Sequence, residues 1–249
     1  MEKISIVIPV MKLKKSVNPR FFYKKRWSII ETLESIEQAL KNVDHEFVFV
    51  QNGIDKDLTN FLFNFLKSFK GRVVQISENV GVSKAWNIGI SACDSSIVII
   101  SNDDVEFKEN SIDVLIETLI KNDEVAQVGP EGGDWNFDCS GPRKGKLIIE
   151  EVDEISGYFF IIKRKHYEIV GGFDENYSPA GVEEIDFSFK LRNKGFRCLV
   201  VPNTGIVHHG FHGVSTKPQI INYLDKSIDT HSLDKRNKSY FVDKWFKRS

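Results

Sequence analysis

The sequence predicts an α/β protein built on a largely parallel sheet with helices on its faces. Two observations lead there. Short apolar runs alternate with stretches of helical periodicity along most of the chain. Three of those runs end in polar groups: Pro9 with a basic segment, Gln51-Asn52, and Asn102-Asp103-Asp104. In a parallel sheet such ends gather on one edge, where these folds bind ligands.

Residues 4–10 are a short apolar run closed by Pro9 and read as a buried first strand. Residues 12–25 are basic and irregular. A helix follows, with Trp27, Ile30, Leu33, Ile36 and Leu40 spaced three and four apart. Residues 47–50 form a second strand, ended by Asn52-Gly53. Leu58, Phe61, Leu62, Phe65, Leu66 and Phe69 trace one face of a second helix. Residues 72–76 read as a strand, 82–92 as a helix, and 97–100 as a strand running into Asn102-Asp103-Asp104. Ser111 is placed to cap a helix carrying Val114, Leu115, Thr118 and Leu119. Residues 125–128 read as a strand, 131–146 as a long loop, and 155–163 as another strand. Residues 182–193 form a helix with Val182, Ile185 and Phe189 inward and Glu183, Asp186 and Lys190 on another face. Residues 196–201 make a last strand, and the remainder is polar and partly helical.

The 249 residues suffice for one large domain or two small ones, and 41% hydrophobic with 28% charged residues is ordinary for a soluble protein. A net charge of -1 argues against a general affinity for nucleic acid. Cys93, Cys139 and Cys198 are far apart and form no zinc spacing, which suits a reducing compartment. No apolar run approaches the roughly 20 residues that span a bilayer, and the N-terminal run is too short for a signal peptide. A cytoplasmic protein is expected, with peripheral contact at the inner face of the membrane left open.

Asn102-Asp103-Asp104 closes a buried strand. Carboxylates there repel one another and are poorly solvated, and a divalent cation relieves both costs. An acidic turn before the next helix explains the same residues. Glu183, Glu184 and Asp186 open a helix, where they either complement its dipole as a solvated first turn or supply a general base. Asp186 and Lys190 are an i,i+4 pair. His208-His209 and His212 follow a strand and are either loop residues or metal ligands. Asn79, Gly81, Asn87 and Gly89 flank Trp86, as a turn with close helix packing or as a ligand-binding segment.

Taken together, these pieces resemble the family-2 glycosyltransferases of the GT-A fold, over most of the chain. ISIVIP at 4–9 is similar to the family's first strand, and NVGVSKAWNIG at 79–89 to the segment before its metal motif. Asn102-Asp103-Asp104 stands where the family has a DxD-type motif. The acceptor-side pattern resembles Gly171-Gly172-Phe173-Asp174-Glu175, then Glu183-Glu184-Ile185-Asp186, then Lys194-Gly195-Phe196-Arg197. Val207-His208-His209 resembles the late metal-binding histidine, and the segment from Asn237 through Lys244-Trp245 a frequent ending.

The resemblance implies a Rossmann-like, mostly parallel sheet over residues 1–214, with a nucleotide-sugar half at 1–104 and an acceptor half at 105–214. A partly helical tail at 215–249 would be a small acceptor-side extension. It implies a metal-dependent, inverting transfer from a nucleoside diphosphate sugar to the hydroxyl of a carbohydrate or glycolipid, in surface polysaccharide or glycoconjugate assembly. Asp104 and His208 would bind Mn²⁺ or Mg²⁺. Asn102 and Asp103 would hold the donor's ribose or sugar, and Gln51 and Asn52 would lie near the base. Their amides suit uracil or thymine, hence a UDP- or dTDP-linked donor. Pro9, Val10, Asn79, Gly81, Lys84 and Asn87 fall at other donor-side positions. Glu184 occupies the base position, with Glu183 and Asp186 beside it.

Four departures stand out. Val10-Met11-Lys12 replaces the frequent Tyr-Asn after the first Pro, and Gln51-Asn52 replaces a more acidic pair. Glu184 replaces Asp, and Trp86 stands where Arg is common. Two other readings compete: a catalytically silent sugar- or partner-binding domain, and a nucleotidyltransferase. The latter would more typically carry a Gly-rich loop after the first strand, and the segment after Pro9 has no glycine before residue 53.

Overall fold

The apolar strands of the computed structural model are buried almost throughout, and successive side chains enter two different cores because they point to opposite faces of the sheet. The structure describes residues 3–13, 27–135, 142–143, 147–210, 219–224 and 226–247. The basic segment and His212 therefore lie largely or wholly outside the described residues, as do Cys139 and parts of the 131–146 loop.

The first half is a regular β/α alternation. Strand β1 (Ile4–Val10) precedes α1 (Ile29–Ala39), β2 (His45–Asn52), α2 (Lys56–Phe65), β3 (Gly71–Ile76), α3 (Val82–Ser91) and β4 (Ile97–Ser101). Local chemistry sets the helix starts. Ser28 and Glu31 form a reciprocal capping box for α1, and Asp55 accepts from the Leu58 amide at 2.7 Å to open α2. Gly81 begins α3 at φ 86°, a left-handed conformation that glycine takes without penalty.

The central sheet has eight strands. Their order is β3-β2-β1-β4, then Phe159–Lys163, Val125–Gly129, Arg197–Val200 and Glu150–Glu151. β1 to β4 are parallel to one another. Phe159–Lys163 runs antiparallel to β4 and to Val125–Gly129, which is parallel to Arg197–Val200. The sheet is thus mostly parallel, with one reversed strand inside it and another at its edge.

Helices cover both faces. On one face Ile6, Ile8, Phe47 and Phe49 pack with Leu33 and Ile36 of α1, Leu58 and Leu62 of α2, and Leu115 of α4 (Asp113–Ile120). On the other, Val7, Val48 and Val50 pack with Trp86 of α3, Tyr167 of α5 (Arg164–Val170) and Phe187 of α6 (Glu183–Asn193). Gly89 permits the close approach of α3: a Cβ there would lie 2.3 Å from Val7 Cγ1. A third cluster joins Trp135, Tyr177, Val182 and Ile185 to Phe241 of the tail helix α7 (Thr230–Trp245).

Several expectations are corrected. Ser111 does not cap α4, whose N-cap is Ile112 with no side-chain hydrogen bond. The described parts of 131–146 include short strands, Gly132–Trp135 and Pro142–Arg143, in a small sheet with Glu154–Ile155. The single strand expected at 155–163 is two: the second begins at Phe159, after a turn at Gly157, and leads directly into the unforeseen α5. Arg197–Val200 is not the last strand, since Val207–His208 and the hairpin Ile220–Tyr223 with Lys226–Asp229 follow.

Candidate active site

β1, β2 and β4 run parallel, so Val10, Asn52 and Ser101 end on the same edge of the sheet. Beyond β4 the chain turns through Asn102-Asp103-Asp104. The Asn102 amide donates to the Tyr158 carbonyl at 2.8 Å, fixing the start of that turn. The next two residues, Val105–Glu106, pair antiparallel with Val207–His208. The His209 amide donates to the Asp104 carbonyl at 3.0 Å.

This pairing carries the late histidine to the acidic turn. His208 Nε2 stands 3.2 Å from Asp104 Oδ1. The Asp104 side chain is 4% exposed. The Tyr158 ring stacks on His208 at 4.6 Å and 5° between planes. His209 points elsewhere: its Nε2 lies 3.0 Å from Glu106 Oε2 and its ring stacks on Trp27 at 4.4 Å.

Among the described residues no group of three or more His, Cys, Asp or Glu side chains is arranged to hold a metal. The donor set still fits a hard divalent ion. Such ions are often held by one or two protein groups, with substrate phosphates and water completing the shell. A buried carboxylate with an imidazole beside it meets that requirement.

The chain returns to this site through Gly157. A Cβ on Gly157 would lie 3.1 Å from both Cβ and Cγ of Glu184 and 3.2 Å from its Cδ. Glu184 therefore packs over the residue preceding Tyr158, whose ring faces His208. Glu184 opens α6 behind two left-handed residues, Gly181 at φ 102° and Val182 at φ 78°. A β-branched residue in that region is a strained outlier, which the surroundings must hold in place.

Glu183 and Glu184 differ sharply. Glu183 is buried at 4% exposure, and its Oε2 has no hydrogen-bond partner. Burial pushes its carboxyl well above the ordinary glutamate range, and the charge of Glu184 adds to this. Nearby backbone amides act in the opposite sense. Glu184 is half-buried. The solvated acidic first turn considered from the sequence is thus overturned, because Glu183 and Asp186 are both buried.

Asp186 is fully buried, and the tail occupies its carboxylate. Oδ1 accepts from Trp245 Nε1 at 2.8 Å and from the Tyr177 hydroxyl at 3.1 Å, and Oδ2 accepts from Lys244 at 3.0 Å. The Lys190 pair is present at 3.8 Å. The structure thus places Asp186 as an anchor for α7, one turn beyond Glu183 and Glu184.

The donor-side candidates divide. Gln51 Oε1 accepts from Thr59 and Gln75, and its Nε2 donates to the Asp55 carbonyl. Asn52 Oδ1 accepts from the Val80 amide at 2.8 Å, and its Nδ2 donates to Asn79 Oδ1 at 3.0 Å. Both amides are committed to building the fold, so the reason for expecting uracil or thymine is removed. Asn79 also accepts from the Gly81 amide, closing the turn before α3. Asn87 bonds the Phe173 backbone at both ends and the Tyr167 hydroxyl, so it fastens α3 to the 167–175 segment rather than facing a ligand. Trp86 is 2% exposed and packs on Phe160 and Phe173 in the core. Lys84 is exposed, 3.9 Å from Glu175. Pro9 is half-buried and Val10 buried at the end of β1. Asn102 and Asp103 are half-buried on the turn that carries Asp104. Sequence reasoning missed Gly157 and Tyr158. The pairing of the strand that follows them, Phe159–Lys163, with β4 brings them to the acidic turn, and their spacing in the chain carries no sign of it.

A sheet of this order, with strand-end carboxylates and a histidine beside them, defines a GT-A glycosyltransferase domain. The chain belongs to glycosyl transferase family 2, whose family model matches residues 22–175. It is 23% identical over 254 residues to a polypeptide N-acetylgalactosaminyltransferase 12 of Drosophila melanogaster that is described as inactive, covering 87% of this chain and 44% of the relative. It is 26% identical over 152 residues to the N-acetylglucosaminyl-diphospho-decaprenol L-rhamnosyltransferase of Mycobacterium tuberculosis, covering 49% of each chain. Among solved structures it resembles GalNAc-T7 with UDP, GalNAc and Mn²⁺, at a TM-score of 0.71, 17% identity and coverage of 99% of this chain and 48% of that one. It also resembles the mannosyltransferase PcManGT of Pyrobaculum calidifontis with GDP-Man and Mn²⁺, at a TM-score of 0.61, 14% identity and coverage of 81% and 55%. The chain spans about half the length of the curated relatives it matches. No helix among the described residues is long and apolar enough to cross a membrane.

Proposed function

We propose that this chain transfers a glycosyl group from a nucleoside diphosphate sugar to an acceptor hydroxyl, with inversion. The observation that carries this reading is the Asp104–His208 pair at 3.2 Å, with Glu184 packed over the neighbouring Gly157. Asp104 and His208 would hold Mn²⁺ or Mg²⁺. Such an ion, when bound, neutralises the diphosphate and stabilises it as it departs.

The chain's own residues supply the rest. Glu184 takes the proton of the acceptor hydroxyl, and the acceptor oxygen attacks the anomeric carbon opposite the departing diphosphate. Glu183 is buried beside Glu184, and burial favours the protonated form of its carboxyl, which limits the negative charge next to the base. Asn102 and Asp103, on the same turn as Asp104, contact the donor's ribose or sugar. Lys84, Asn79 and Gly81 border the donor side. The two structural neighbours hold UDP and GDP-Man, and neither amide of Gln51 or Asn52 is free to select a base.

The mycobacterial relative is named for a lipid-linked sugar acceptor, and a carbohydrate or glycolipid acceptor in surface polysaccharide assembly goes with this reading. So does a cytoplasmic location, with peripheral contact at the membrane. The decisive experiment is a panel of nucleotide sugars screened by thermal shift with Mn²⁺, followed by turnover of Glu184→Gln. That variant keeps size and hydrogen bonding but cannot accept the proton. Turnover should fall by about 10²-fold or more while donor binding persists. Stabilisation by no nucleotide sugar at all would defeat the reading.

A further inference from the structure

The tail helix does more than cover an apolar face. Its Asn237 is 1% exposed, and Nδ2 lies 2.8 Å from the Tyr177 carbonyl, 3.0 Å from Ala180 and 2.8 Å from Gly181. Arg236 Nη2 donates to the Ser178 carbonyl at 2.6 Å and lies 3.4 Å from that of Asn176. The remaining carbonyl, Pro179, accepts from the Val82 amide at 2.8 Å, at the start of α3. Every carbonyl from 176 to 181 therefore lies within reach of a donor nitrogen, and two adjacent tail residues supply that nitrogen for all but one, their N–H groups being shared between neighbouring carbonyls.

The orientation of the amide is itself fixed. Asn237 Oδ1 accepts from Arg236 Nε at 3.0 Å and Nη2 at 2.8 Å, which turns its NH₂ toward the loop. An oxygen there would face carbonyls and repel them. The loop ends in the left-handed pair Gly181 and Val182, and Glu183 follows at once. The Val182 carbonyl accepts the Asp186 amide at 2.9 Å, an early hydrogen bond of α6. A loop released from the tail would let Val182 relax toward ordinary backbone angles and turn the first residues of α6.

We infer that Asn237, with Arg236 beside it, is a positioning residue for the Glu183–Glu184 pair: the tail holds the loop that sets their helix start. The inference rests on the glycosyl-transfer reading in taking Glu184 as the base. Its structural half does not, and this separates the two in experiment. The buried Glu183 Oε2 has no hydrogen-bond partner, so that side chain alone does little to fix the helix start, which suits a start held from outside.

The test uses Asn237→Ala, Asn237→Asp, Arg236→Gln and Arg236→Lys in the full chain. Without substrate, amide exchange at residues 181–186 should quicken in the first three and return toward wild type in Arg236→Lys. With substrates, kcat should fall, by up to about 10²-fold in the Asn237 variants, the scale on which a small misplacement acts. The donor KM should stay within about twofold, because the loss is in placing the base and not in donor binding. Should Asn237→Ala fail to fold, Arg236→Gln decides, since that side chain is exposed and its loss leaves the core of α7 intact. Unchanged exchange at 181–186 overturns the inference whatever turnover does. Equal losses of donor binding and kcat also overturn it, by showing a general structural role. If exchange quickens while Glu184→Gln keeps turnover, the base assignment fails and the tail's hold on the helix start stands.

Discussion

His208 Nε2 lies 3.2 Å from Asp104 Oδ1, and a two-residue antiparallel ladder holds the two residues together. Tyr158, stacked on the imidazole, prevents the ring from turning away. A carboxylate exposed to only 4% needs a cation or a donor at that distance.

Asp104→Asn keeps the shape and removes the charge. It should abolish Mn²⁺-dependent binding of a nucleoside diphosphate in titration calorimetry. His208→Ala should weaken that binding by about tenfold or more, the scale reached even by groups one shell further from a metal. Unaltered affinity in Asp104→Asn would place the metal elsewhere.

Gly157 offers a more selective probe. Its φ is not in the left-handed region, so alanine suits the backbone, but the new methyl would press on Glu184 from 3.1 Å. Nucleotide and Mn²⁺ binding should persist in Gly157→Ala. Turnover should fall by about tenfold, because a few tenths of an ångström at the base matter more than at a binding contact. A variant as fast as wild type would show that Glu184 does not need its present position.

Glu183 predicts an unusual pH dependence of stability. Burial first, and Glu184 second, raise its folded-state pKa above the ordinary 4.5. The unfolded chain ionises near 4.5 while the folded protein still holds the proton, so this stabilising contribution is full below 4.5 and is lost as pH rises. Glu183→Gln carries no such loss. Its melting temperature should match wild type near pH 4 and exceed it increasingly as pH rises above 4.5, until Glu183 ionises in the folded protein. Parallel curves across that range would mean that Glu183 is not held neutral.

Much of this was legible before any coordinates. The β/α alternation gave β1 to β4 and the first three helices, because apolar periodicity acts locally. The meeting of Asp104 with His208 was expected only through a resemblance, since nothing local in either segment names the other. The hydrogen bonds of Gln51, Asn52 and Asn87 were not legible in the sequence, because a polar side chain there can serve the ligand or the fold. Which it serves depends on residues such as Thr59, Gly81 and Phe173 arriving from elsewhere. The surroundings of Asp186 were hidden for the same reason: its partners Lys244 and Trp245 come from the far end of the chain.

Those partners yield the last prediction. Lys244 donates to Asp174 at 2.7 Å as well as to Asp186, and the Tyr240 hydroxyl donates to Asp174 at 3.0 Å. Burial works to raise the Asp174 pKa. The Lys244 hydrogen bond, the Asn176 amide and the Lys244 charge outweigh it, bringing the group from 3.8 to about 2. A depressed carboxyl stabilises the folded state fully above its unfolded value and ceases to do so as pH falls through the folded one. The tail's attachment should therefore weaken from pH 3.8 down to about 2. Asp174→Asn can still accept hydrogen bonds but carries no charge. It should melt below wild type at pH 6, and the gap should close as pH approaches 2. The Trp245 indole proton, bonded to Asp186, gives a local readout by NMR. In wild type its resonance should move over the same acid range as the melting difference shrinks. An indole signal that stays fixed while the whole chain unfolds would show that the Asp174–Lys244–Asp186 cluster does not govern how the tail is held.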